Sequence, residues 1–231
     1  MSDPNAYTML MASLPHHGVL FAAKQTPLSR LKLERRLRVL APEDSETLSL
    51  VEDLLQWSHL AVPLSEADFV ARARTTMARI ENETLRQIIR DRLELRTCVA
   101  ALRRRQRGES RPPAHRTWGY SRWLGHIARN WSEPAFRLDG VFPWLREADR
   151  LLRQGDALHL ERLLLEQVWI NLGRRADEHA FDFEAVVIYV LRWNVIERWT
   201  TYDGEVAKAR FGELVETALG EHVRLLEEGV G

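Results

Sequence analysis

Cysteine is nearly absent from this sequence. Cys98 is the single one, so no disulfide can close within the chain and no cysteine-based zinc site can be built. Lysine is scarce too, confined to Lys24, Lys32 and Lys208, which leaves arginine to carry the positive charge. Long apolar runs are missing. Met9 to Leu14 stops at Pro15, and the most hydrophobic stretch, Ala185 to Trp199, is interrupted by Arg192, Glu197 and Arg198. Neither approaches the ~20 apolar residues of a membrane span. The N-terminus has no basic region followed by an apolar core of the secretory type, so a soluble, cytoplasmic protein is expected. Net charge is absent as well, with 33 basic against 33 acidic residues. The molecule as a whole therefore has no electrostatic pull toward nucleic acid or anionic lipid.

The motifs of several enzyme classes are also lacking. There is no glycine-rich phosphate loop, metalloprotease helix, nucleophile elbow or calcium loop. The sequence thus predicts neither ATP hydrolysis nor tight ATP binding, and offers no catalytic, cofactor-binding or metal-binding residues. His16-His17, in a turn between Pro15 and Gly18, is the one pair that could ligate a metal, and no third ligand lies at a helpful local spacing. Cys98, flanked by apolar residues, reads as a small core residue.

What is present points to helices. Hydrophobic residues make up 45% and charged residues 29%, the balance of a globular chain. Thr26-Pro27 supplies a cap and a first-turn proline before Leu28, Leu31, Leu37 and Leu40, and Pro42 ends that run. Ser45 to Trp57 follows, with Leu48, Val51, Leu54 and Leu55 on one face. Ser65 to Asp68 reads as a capping box for a helix carrying Phe69, Ala73, Met77 and Ile80. Asn82 caps a long helix over 82–107, whose Leu85, Ile88, Leu95, Val99 and Leu102 follow a seven-residue repeat broken by Arg92. It reads as one arm of an extended helical hairpin.

Gly108 to Thr117, with Pro112-Pro113, reads as a linker. Beyond it come Trp118 to Trp131, a helix from about Pro143 to Gly155, and another opened by Asp156. Asp182 caps the apolar helix through Trp199, and Asp203 opens a last amphipathic one. Tyr7 to Leu14 fits a short helix or a strand. The expected fold is all-α, a multi-helix bundle with a long hairpin. Its expected division is an N-terminal lobe 1–110, a linker 108–117 and a C-terminal lobe 118–231.

Charge is placed in blocks. Between Val39 and Ala71 there are acids and no Lys or Arg; from Arg96 to Leu124 arginines face the single acid Glu109. Arg103, Arg104, Arg105, Arg107 and Arg111 form the one conspicuous cluster. It admits three readings: a helix end whose dipole favours cations, a docking surface for an acidic protein, or phosphate contacts with stacking on Trp118, Tyr120 and Trp123. Among the eight tryptophans most should be core. In the helix 182–199, Val186, Tyr189, Val190, Trp193, Ile196 and Glu197 are the expected structural core.

Two segments resemble a known family. Tyr7-Thr8-Met9-Leu10-Met11-Ala12-Ser13-Leu14-Pro15 is similar to the start of a bacterial family encoded alongside V-type ATPases. Phe181 to Ala185, Tyr189-Val190-Leu191 and Ile196 to Trp199 resemble its second block, and also a helix of the C-type stalk component of V-type ATPases (the d-type in eukaryotes). The resemblance implies a helical accessory component without an active site or cofactor. It would couple the central stalk to the membrane rotor ring in ion transport, its partners being those stalk and ring subunits. Any membrane contact would be indirect, at the inner membrane through the partners. This chain is shorter than the C-type component, so the three-lobed geometry of the latter does not carry over whole. Nucleic acid as partner of an Arg-rich helical adaptor is the alternative; an enzyme on a helical scaffold is a second.

Overall fold

The computed structural model describes residues 6–55, 65–114 and 118–202. Within them the chain is helical and contains no strand. The helices are α1 (Ala6–Ser13), α2 (Arg30–Leu37), α3 (Pro42–Leu55), α4 (Glu66–Arg79), α5 (Glu83–Gln106), α6 (Leu124–Arg129), α7 (Trp144–Gln154) and α8 (Ala157–Ala176). A further helix, α9, occupies 183–202. The Tyr7 to Leu14 run is thus resolved as helix, while the final helix expected from Asp203, and Trp57, lie outside the described residues.

The caps act where expected. Ser65 Oγ accepts from Asp68 N at 3.1 Å, Asn82 Oδ1 from Leu85 N at 3.0 Å, Asp156 Oδ1 from His159 N at 3.1 Å and Asp182 Oδ1 from Ala185 N at 2.9 Å. Gly155 ends α7 in the left-handed region, at φ 70°. The start of α2 departs from expectation, falling at Arg30 after Ser29 rather than at Pro27. The Leu28 carbonyl just before that start accepts from the buried Trp193 indole N–H at 2.9 Å. Leu33 and Leu37 form the inward face of α2, whereas Leu31 is exposed. Pro42 opens α3 as its first residue.

The bundle is organised around α5 and α9. The long helix α5 packs against α3, α7 and α8, and one continuous hydrophobic core draws on every helix from α1 to α9, on both sides of the 108–117 segment. The helix α9 is apolar around most of its circumference and is buried accordingly: Val186, Tyr189, Val190, Trp193 and Ile196 are all at most 6% exposed. Glu197 corrects the expectation that it belongs to this core. It is exposed toward the C-terminal end of α9, where a carboxylate keeps its hydration.

Helices α4 and α5 form the expected hairpin. The first turn of α4 meets the last turns of α5, where Glu66 accepts from Arg104 and the Phe69 ring lies 3.9 Å from the Arg96 guanidinium.

Candidate functional site: an arginine-lined cavity along α5

Between the hairpin arms lies a cavity of about 440 Å³, closed on its other sides by α8, α9 and the segment 118–120. Arg92, Arg96 and Arg103 of α5 line it, with Arg107 at the helix end and Arg198 of α9. At 3.6 residues per turn the first four fall within about 60° of one another around the helix axis. They share the side that carries Leu85 and Val99, so an arginine stripe continues the apolar seam.

The 118–120 wall is held by one close approach. Thr97 Oγ1 accepts from Tyr120 N at 3.0 Å and donates to Tyr120 O at 3.2 Å. Gly119 makes this possible, since a Cβ there would sit 2.6 Å from Thr97 Cγ2. Trp118 is buried and meets Trp131 edge to face, with ring centroids 6.3 Å apart. Its indole is packed into the protein rather than offered as a stacking platform.

The expected cluster Arg103, Arg104, Arg105, Arg107 and Arg111 divides in the fold. Arg104 turns inward and joins Glu66 and Glu109, the latter at 2.8 Å. Arg105 is a clamp. It pairs with Asp149 of α7 at 2.9 Å, donates to the Glu133 carbonyl at 2.7 Å and lies 4.6 Å from the Phe136 ring centroid. That contact supports a turn in which Ala135, Phe136 and Arg137 all have positive φ, a conformation L-residues resist. Arg103, Arg107 and Arg111 remain exposed, Arg107 sharing Glu109 at 3.2 Å. These ion pairs hold the Glu109 carboxyl below the usual range.

Other titratable groups fall into structural roles. His16 and His17, adjacent in sequence, part company. His16 Nδ1 accepts from Gly18 N at 2.9 Å. The His17 ring sinks between Tyr189, with centroids 4.0 Å apart, and Trp169, with Nε2 3.0 Å from the Tyr189 carbonyl. Burial, with Arg192 adding to it, pushes the His17 imidazole down to about 4. Cys98 is fully buried, which pushes its thiol up to about 12 and leaves no thiolate for chemistry.

His179, Asp182 and Glu184 place one ligand-type atom each within 4.8 Å of one another. Each is engaged: His179 Nδ1 with Asp182 Oδ2 at 2.6 Å, and Glu184 Oε1 with Asn82 Nδ2 at 2.6 Å. The network ties the capping residues of α5 and α9 together, which suffices to account for it. A second cavity, of about 470 Å³, is bordered by Arg74, Arg90, Glu94 and Arg122. Desolvation raises the Glu94 carboxyl, opposed by Arg122 3.1 Å away. No histidine or second carboxylate lines that cavity among the described residues, so no acid–base pair is assembled there.

Compared with known protein families, with curated proteins and with solved structures, the chain matches none. Function must therefore be argued from its own residues. The N-terminal segment 7–15 and the segment 181–199 meet in space. Tyr189 donates its hydroxyl to the Pro15 carbonyl at 2.8 Å, and the Tyr7 and Phe183 rings are 6.3 Å apart. No sequence signal marked the cavity itself. The spacing of Arg92, Arg96, Arg103 and Arg107 on one helical face was its only trace, hidden because Arg104 and Arg105 dominate the cluster by eye.

Proposed function

We propose that this chain is a non-catalytic helical adaptor that docks an acidic partner surface at the C-terminal end of α5. The observation that carries the reading is the division of the arginine cluster. Arg104 and Arg105 fasten the helix end to α4 and α7, and Arg103, Arg107 and Arg111 are left outward on a stiffened tip. A rigid cationic surface gives register and speed to an encounter with an acidic partner. Among the described residues no helix is long and apolar enough to cross a membrane, so any membrane role would run through partners.

The finer assignment is an accessory component of a V-type ATPase, coupling the central stalk to the rotor ring. It is supported by the resemblance of the two segments. A stiff body of packed helices suits torque transmission, and such a part needs no active site of its own.

The test is affinity purification of the tagged chain from membranes of the cells that encode it. V-type ATPase stalk subunits should accompany it, and an Arg107→Gln/Arg111→Gln variant should retain less of them and show a weaker salt dependence. A wild-type chain that brings down no such protein removes the ATPase assignment. Unchanged retention by the variant removes the docking surface. Retention on RNA that falls steeply with salt would put nucleic acid in the partner's place.

A further inference from the structure

The cavity between α4 and α5 holds two arginines, Arg96 and Arg103, that form no ion pair with a described acid. Five guanidinium groups line it against two carboxylates, Glu66 and Glu161. Glu66 accepts from Arg104, which is not part of the lining, and Glu161 pairs within the lining with Arg198 Nε at 2.7 Å. Arg107 shares Glu109 with Arg104. Among the described residues, Arg96 and Arg103 form no ion pair with an acid. Their charges oppose one another: burial lowers Arg96, and the Arg103 charge lowers it further. Like charges held together in this way cost the folded protein free energy that a bound anion would return.

We propose that this cavity binds a small linear polyphosphate, gripped by Arg96 and Arg103, which line it and are both exposed to solvent. A guanidinium presents paired N–H donors that match phosphate oxygens, and Phe69 beneath Arg96 holds that plane in place. Arg96 and Arg103 lie two turns apart, roughly 10 Å along the axis. A short chain of phosphates matches that separation better than a single phosphate group does. The volume of about 440 Å³ falls in the roughly 300–1,000 Å³ range of small-molecule sites. Trp118 is packed against Trp131 and Phe69 lies under Arg96, which leaves Tyr120 as the remaining ring of the described wall. The phosphoryl chain, not a nucleoside, is the recognised part. The site lies on the same helix face as the docking tip but does not depend on who the docking partner is.

Inorganic tripolyphosphate is the probe, titrated calorimetrically into the full chain at low and moderate salt, with ATP and orthophosphate in parallel. Binding of one tripolyphosphate per chain is expected, weakening with salt. ATP should bind no more tightly, and orthophosphate at least tenfold more weakly. Arg96→Gln and Arg103→Gln should each weaken tripolyphosphate binding at least tenfold. Both variants should stay folded, because each relieves repulsion in the empty cavity; circular dichroism and a thermal melt check this. Arg146→Gln, at an exposed position of α7, should change nothing. No binding of tripolyphosphate at millimolar concentration overturns the proposal. So does equal weakening by Arg146→Gln, which would mark general charge attraction, and so does ATP binding far tighter than tripolyphosphate. Assembly with a partner is measured separately, through Arg111→Gln, which lies outside the cavity lining, so either idea can fail alone.

Discussion

Arg105 of α5 and Asp149 of α7 form an ion pair of 2.9 Å with both side chains largely buried, at 20% and 11% exposure. The same carboxylate also holds Arg153 at 2.7 Å. An arginine in the middle of the cationic cluster is therefore a structural rivet between two helices and the strained turn beside them.

Removing that rivet should be costly. Arg105→Gln leaves Asp149 short of one partner and frees the Glu133 carbonyl. The loss should be on the order of 2–4 kcal/mol, since breaking one side of a buried pair is far worse than losing a surface one. Arg111→Gln, at an exposed position, should change stability by less than ~0.5 kcal/mol. Urea melts of the two variants check both values; similar midpoints would show that Arg105 belongs to the surface after all.

Gly119 should resist substitution for a reason that can be undone. In Gly119→Ala the new methyl meets Thr97 Cγ2 at 2.6 Å, and such overpacking costs roughly 1–3 kcal/mol. Adding Thr97→Ser removes the offending methyl and keeps the hydroxyl that bonds Tyr120. The double variant should recover most of the loss, a non-additivity that a double-mutant cycle measures directly.

Acid should weaken the fold through His17. Its buried ring titrates near 4, against an ordinary value of 6.5. The unfolded chain therefore takes up a proton on this residue as soon as pH drops below about 6.5. The folded chain does so only near 4. Stability is full above the unfolded value and declines as pH falls through this window, by roughly 3 kcal/mol in all. His17→Gln should flatten that part of the pH profile in chemical denaturation between pH 4 and 7.

In α9 two neighbouring turns should behave oppositely. Val190 is 0% exposed, so Val190→Asp buries a carboxylate without a designed partner. That costs several kcal/mol of the ~5–15 kcal/mol that stabilises a typical domain. Folding should be lost, as read by circular dichroism and gel filtration. Glu197 is exposed, and Glu197→Gln should stay within ~0.5 kcal/mol of the parent. A folded Val190→Asp protein would place α9 at the periphery.

Much of the helical framework was legible in the sequence because its determinants are local. Ser65, Asn82, Asp156 and Asp182 cap the helices they precede, and Gly155 ends α7 in the left-handed region. A cap needs only residues three positions away, and a buried face needs only a 3.6-residue repeat. At the start of α2 local reading failed. Thr26-Pro27 carries a proper start signal, yet α2 begins at Arg30, and the Leu28 carbonyl before it accepts from Trp193, a residue far away in the chain.

Local sequence sufficed to foresee that this chain is all-α, that 82–107 is one long helix, and that the helix after Asp182 is apolar enough to sit inside. Backbone hydrogen bonding and side-chain periodicity are properties of neighbouring residues, so no tertiary contact was needed to foresee them. Only the tertiary structure decided the fate of the charged and aromatic side chains. It turned Arg104 and Arg105 inward, exposed Glu197, parted His17 from His16, and aligned Arg96 with Arg103 along a cavity. A long polar side chain reaches well beyond its own helix. Its energy depends on which carboxylate, carbonyl or ring the fold brings to its tip, and that partner lies elsewhere in the chain.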